Sequence, residues 1–164
     1  MKGASAMNTA IDQDLLYTLS AQAAALPRKR THLNFHTDSH AQCHRLLIAI
    51  EPHSYIRPHC HANHEKDETL LVLKGHLGLI YFDNSGTVTD TFILSPHETI
   101  GITIPHGQLH SVVALTSGTI FLKVRQAPII LHSLMKLRIL LLLKTRQTLI
   151  ATFKHYLNYL ITNS

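Results

Sequence analysis

Between Arg45 and Gln126 the chain is punctuated by turn-forming residues about every ten positions, and this spacing restricts it to short extended segments. The breaks fall at Pro52, Pro58, Lys74-Gly75, Asp83-Asn84-Ser85-Gly86, Pro96, Pro105-His106-Gly107 and Ser117-Gly118. The runs between them are β-branched and aliphatic, and none is long enough to hold the helices that alternate with strands in a parallel sheet. Such a pattern predicts an all-β sandwich or barrel, with strands at 44–51, 54–60, 68–74, 76–83, 90–94, 100–104, 109–115 and 118–126. Asp83 to Gly86, set between Tyr81-Phe82 and Thr87-Val88, reads as a hairpin turn.

The two flanks have a different period. In residues 11–26, Leu15, Leu16, Leu19 and Ala23 recur at helical spacing after an Asp12 cap, and Pro27 closes the segment. Residues 129–164 contain no Asp, Glu, Gly or Pro. There Leu149, Ile150, Phe153, Tyr156, Leu157, Leu160 and Ile161 form the stripe of an amphipathic helix. Three segments follow: an N-terminal helical segment at 1–27, a β barrel at 28–128, and a helical, basic and apolar C-terminal extension at 129–164. That extension suits a packing helix, a membrane-surface helix or an aberrant terminus, and sequence does not separate these.

The formal net charge of +5 suggests nucleic acid until it is located. All ten acidic residues lie at or before Glu98, whereas Lys and Arg number ten through Pro128 and five beyond it. Residues 1–128 are therefore neutral and the excess sits in the tail. A nucleic-acid surface would stud the folded body with cations beside stacking aromatics, so nucleic acid is excluded as the main partner. No run reaches the length of a membrane span. Met1 to Ala10 lacks the apolar core of a signal peptide, from which cytoplasmic residence is expected, with Cys43 and Cys60 as free thiols.

The chemistry concentrates in histidine. His59 and His61, two apart on an extended segment, point to one face while Cys60 points to the other as a packed thiol. Glu68 opens the next strand, which stops at Gly75, and the turn Pro105-His106-Gly107 delivers His110 to the start of a later one, with Val112 and Ala114 on its face. Neutral imidazoles with one carboxylate suit Zn, Fe, Mn or Ni. Taken alone, a His-x-His pair in a chain with 14 His is more often a surface feature than a ligand pair.

At this point the sequence resembles the cupin superfamily. His59, His61, Glu68 and Gly75 match its first motif, and Pro105, Gly107 and His110 match its second. Arg28 to Arg30, Leu33 to His36, Arg57 to His61 and Glu68 to Phe82 resemble the WbuC family of cupin-fold metalloproteins, the likeness covering about residues 11–127. The resemblance implies an all-β cupin barrel (double-stranded β-helix, jelly-roll), flanked by the N-terminal helix and the C-terminal extension. It also implies one divalent transition metal on His59, His61, Glu68 and His110, and a homodimer.

Three positions depart from the pattern. The spacer between His61 and Glu68 is long, so Glu65 competes as the carboxylate; Glu68 is preferred because it alone keeps the interval to Gly75. His53 stands where a Gly is expected, and Ala114 where an Asn is expected. His53, His64 and Glu65 are the candidate general bases, with His64 the best placed beside the metal. His76, His97 and His106 read as exposed loop histidines. Lys123 and Arg125, alternating with Leu122 and Val124, read as a solvated sheet face. Arg28, Arg30, Asn34 and His36 read as a polar linker that the WbuC likeness raises to a pocket rim.

No residue is assigned to an organic cofactor. An open coordination position on the metal fits an isomerase or epimerase acting on a sugar or sugar-derived substrate of surface-polysaccharide metabolism, the substrate class that the WbuC likeness implies. A non-catalytic module binding a small molecule such as a carbohydrate, and an Fe(II) dioxygenase, are the alternatives.

All proposed ligands precede Gln126, so truncation after Ala127 is expected to leave a soluble barrel retaining about one metal per chain. A truncated protein that is unfolded by circular dichroism, or metal-free by elemental analysis where the full chain is loaded, places the extension in the core instead.

Overall fold

The computed structural model describes residues 10–38, 41–61 and 67–126. His64, Glu65 and the helix expected in 129–164 lie outside these described residues. One helix, α1 (Gln13–Ala25), precedes eight strands: β1 (Arg30–Asn34), β2 (Cys43–Ile50), β3 (Glu68–Lys74), β4 (Leu77–Phe82), β5 (Val88–Leu94), β6 (Gly101–Ile104), β7 (Leu109–Ala114) and β8 (Thr119–Gln126).

Helix α1 begins where the sequence places it. The Asp12 side chain accepts a 2.9 Å hydrogen bond from the Leu15 N–H, satisfying one of the donors that a helix start leaves open. Leu16, Leu19 and Ala23 form its buried stripe.

The strands form two antiparallel sheets, one in the order β1-β2-β8-β3-β6 and the other β5-β4-β7. Between them lies the main core, with Ile50, Leu70, Val72, Ile104 and Phe121 from the larger sheet meeting Leu77, Leu79, Tyr81, Leu94, Val112 and Ala114 from the smaller. Part of the larger sheet is buried on its other side too. There Leu47, Ala49 and Ile120 pack under Leu16, Leu19 and Ala23 of α1, with Leu33, Phe35 and Leu122 at the margin. Alternate residues of β2 and β8 are thus committed to the helix, which turns the remaining residues inward.

Two expectations are corrected. Residues 54–60 do not form a strand; their only ladder contact among the described residues is an isolated bridge between His59 and His110. Pro58 has no N–H to donate, and the carbonyls nearby are taken by side chains: Tyr55 O accepts from Arg30 Nη1 at 2.7 Å and Ile56 O from Ser111 Oγ at 2.6 Å. The supposed linker after α1 is instead strand β1, paired with β2 from Arg30↔Ile50 to Asn34↔Leu46. Its period-two signal is present in the sequence, because Leu33 and Phe35 face the helix while Arg30, His32 and Asn34 alternate with them.

Glycine is required at two turns. Gly75, at φ 76°, joins β3 to β4 so tightly that a Cβ there would stand 2.5 Å from Thr119 Oγ1. Gly107, at φ 75°, makes the turn that leads into β7.

The helix–sheet layer supplies a direct stability test. Leu47 is fully buried between α1 and the sheet, so Leu47→Ala should lower unfolding free energy by roughly 2–5 kcal/mol in urea titrations. A loss under about 1 kcal/mol would show that this layer can collapse around the missing side chain.

Candidate metal centre

Four side chains from three parts of the chain meet at one end of the main core. His59 and His61 come from the irregular segment before β3, Glu68 from the first position of β3, and His110 from β7. Each offers one ligand atom, and these atoms all lie within 4.8 Å of one another. Glu68 and His110 are buried, and His59 and His61 half-buried. Backbone hydrogen bonds bring the set together: His59 N to His110 O and His110 N to His59 O, both 2.9 Å, and Gly107 N to His61 O at 2.9 Å. The Pro105–Gly107 turn therefore holds the first His pair as well as launching the strand that carries the third.

The proton positions suit a cation. His59 Nδ1 lies 3.0 Å from Arg57 O and His110 Nδ1 lies 2.9 Å from Gln108 O, so the geometry assigns the Nδ1 proton to both rings as a donor to a carbonyl two residues earlier. Each ring is then left with a lone pair on Nε2, the arrangement by which metal-ligating imidazoles are commonly oriented. His110 Nε2 is buried without a hydrogen-bond partner, standing 3.7 Å from Glu68 Oε1. His61 Nε2 lies 2.6 Å from Glu68 Oε2, and its Nδ1 is also buried without a partner. Unpartnered buried nitrogens are costly, and three imidazoles with one carboxylate make a donor set that fits a single metal ion.

Electrostatics keep the site in its ligating form. Burial pushes the Glu68 carboxyl up, but the imidazoles of His110 and His61 and the Lys123 ammonium overcome it and hold the group well below the usual carboxylate range. Burial pushes His59 down to about 3, with His110 and Lys123 adding to the effect, so its ring is neutral.

Lys123 and Arg125 were expected on a solvated face, and the structure corrects this. Lys123 Nζ makes a 2.6 Å ion pair with Glu68 Oε2, and burial pushes its ammonium down against the pull of that carboxylate. Arg125 is half-buried, is the register partner of both Glu68 and His44, and places Nη2 3.2 Å from His44 Nδ1. The two cations face inward because α1 has taken Ile120 and Leu122 on the other side of β8. Parity alone groups Phe121, Lys123 and Arg125 on one face; which face is covered depends on the helix.

The other sequence-derived residues are dispersed. His53 is exposed, at φ 71°, a left-handed conformation that glycine adopts most readily, and it does not join the His/Glu cluster. His76 and His97 are exposed, and His106 Nδ1 lies 3.1 Å from Asp67 Oδ1 at the surface. Cys60 packs beside Ile80, Phe82, Leu109 and Val113, and burial pushes its thiol up. Arg28 and Arg30 line a cavity of about 530 Å³ with His32, Leu46, Ile48 and Ile56. Asn34 is exposed outside that cavity, and His36 stacks on His44 at 4.3 Å.

Two antiparallel sheets enclosing a core, with three His and a Glu converging at one end, define a cupin-fold protein. A cupin superfamily protein from Desulfitobacterium hafniense matches at 12% identity with a TM-score of 0.51, over 67% of this chain and 88% of that one. KdgF from Halomonas sp. matches at 15% identity and TM-score 0.49, over 63% of this chain and 84% of that one. A cupin-2 domain containing protein from Shewanella frigidimarina matches at 18% identity and TM-score 0.45, over 59% and 80%. The fold assignment rests on the first of these. The family model described as "Domain of unknown function (DUF6016)" matches residues 11–94, just over half of the chain, and the chain belongs to that family. That match includes His59, His61 and Glu68 and ends before His110. No curated protein matches. Among the described residues no helix is long and apolar enough to cross a membrane.

The neutral His59 gives the metal-free protein a defined pH response. An unfolded imidazole titrates near 6.5 and the folded one near 3, so between these values only the unfolded chain takes up the proton. This contribution to stability is complete above about pH 6.5 and falls as the pH drops towards 3. Urea midpoints of chelator-treated protein should decline between pH 7 and pH 4.5, and His59→Gln should flatten that decline. An unchanged profile would assign the effect to another group.

Proposed function

We propose that this protein is a metal-binding cupin in which His59, His61, Glu68 and His110 hold one divalent transition metal. The reading goes on to a metal-dependent enzyme, of isomerase or epimerase type, acting on a sugar or sugar-derived substrate of surface-polysaccharide metabolism. The observation that carries it is the convergence of four ligand atoms within 4.8 Å, two of whose histidines keep a buried nitrogen without a partner. The sugar class is supported by the WbuC-like stretches Arg28 to Arg30, Leu33 to His36 and Arg57 to His61. Cytoplasmic residence and a homodimer belong to the same reading, the second through the cupin resemblance.

A bound metal would act as a Lewis acid, polarising a carbonyl or hydroxyl and stabilising negative charge on oxygen. The chain's own groups prepare the place. Gln108 O and Arg57 O fix two rings through their Nδ1 protons, and Lys123 holds the Glu68 carboxylate ionised from within the barrel. The hydrophobic floor of Leu70, Val72, Phe121 and Val112 excludes water from beneath the site, which strengthens charge interactions at its mouth.

Elemental analysis of full-length protein purified without chelator tests the ligand set. Wild type should carry about one metal per chain; His59→Ala and His110→Ala should each lose it, and His76→Ala should keep it. Glu68→Gln should lower metal retention far more than Glu65→Gln. Full metal content in both histidine variants, or equal losses for the two glutamates, would overturn the assignment.

A further inference from the structure

We infer that the inward face of β8 is an oxyanion subsite, in which Arg125, with Lys123 beside it, receives the carboxylate of a small-molecule substrate at the edge of the metal cluster. This narrows the substrate class of the proposed function, and it rests on that reading for the carboxylate's part in a reaction, though not for its binding.

The first argument is charge. Lys123 and Arg125 stand two residues apart on one strand and so share its inner face. Glu68, the register partner of Arg125, is the carboxylate that meets them, and it is engaged by Lys123 Nζ at 2.6 Å and His61 Nε2 at 2.6 Å. Among the described residues no ion pair involves Arg125. Two cations facing one carboxylate leave an excess positive charge in a partly dehydrated place. A divalent metal on three neutral imidazoles and Glu68 would increase it. Excess buried charge of one sign is costly, and an anionic ligand relieves the cost.

The second argument is hydrogen bonding. A guanidinium has five N–H donors in a rigid fork. Nη2 donates to His44 Nδ1 at 3.2 Å, and Nε is buried without a partner among the described residues. His44 is itself buried and stacked on His36, so the guanidinium leans on a fixed support. Buried donors in folded proteins are nearly always satisfied, so this unspent N–H calls for an acceptor that the described residues do not supply. A planar carboxylate can accept parallel N–H bonds from such a fork.

Isothermal titration of the chelator-treated, full-length protein with malonate, and separately with inorganic phosphate, tests the subsite. Wild type should bind malonate, and Arg125→Gln should weaken that binding by about tenfold or more, the usual worth of a charge-assisted hydrogen-bonded contact. Arg125→Lys keeps the charge but loses the fork and should fall between the two. Lys74→Gln, which removes an exposed cation, should bind as wild type does. Metal content and far-ultraviolet circular dichroism should be unchanged in the Arg125 variants. Malonate binding that Arg125→Gln and Arg125→Lys leave intact overturns the proposal, as does a wild type that binds neither anion. Binding of phosphate in preference to malonate overturns the carboxylate assignment. Arg125-dependent malonate binding by a wild type that never retains metal would overturn the metal reading and leave the subsite standing.

Discussion

Two backbone hydrogen bonds between His59 and His110, each 2.9 Å long, hold the functional end of this barrel together. They join an irregular segment to β7, an edge strand of the smaller sheet, and bring two rings to 4.5 Å between centroids. Without them, residues 54–61 would lack a ladder partner. The bond from Gly107 N to His61 O extends the same clamp. A turn usually seen as a means of reversing the chain here also positions His61.

Where α1 lies on the larger sheet, β2 and β8 are covered on both faces, and this decides the chemistry inside the barrel. Helix α1 covers one side with Leu16, Leu19 and Ala23 against Leu47, Ala49 and Ile120. The opposite side faces the smaller sheet, where Phe121 is core and Lys123 and Arg125, further along β8, reach the cluster. The same alternation that makes a packed interior at one end makes a charged mouth at the other. Glu68 pairs with Ile104 on one side and Arg125 on the other, so the carboxylate rests between an apolar and a cationic neighbour.

The proposed metal site and the proposed anion subsite share this one feature. His110, His61 and Lys123 together keep Glu68 ionised, while the Nε of Arg125 beside it has no partner among the described residues. A cation held by three imidazoles and one carboxylate would leave the face more positive still.

The sequence by itself determined a good deal. Turn residues about every ten positions dictated short antiparallel strands, the Asp12 cap and its apolar stripe dictated α1, and the paired motifs brought His59, His61, Glu68 and His110 forward as one set. These are local or period-bound signals, and local physics reads them. Only the tertiary structure decided that residues 54–60 are held by side chains instead of a ladder, that 30–34 is a strand, and that Lys123 and Arg125 point inward. A strand shows two faces to any reader of its sequence, but which face is inside depends on what packs against the other. For β8 that was α1, about a hundred residues away in the chain, through contacts that no local pattern records.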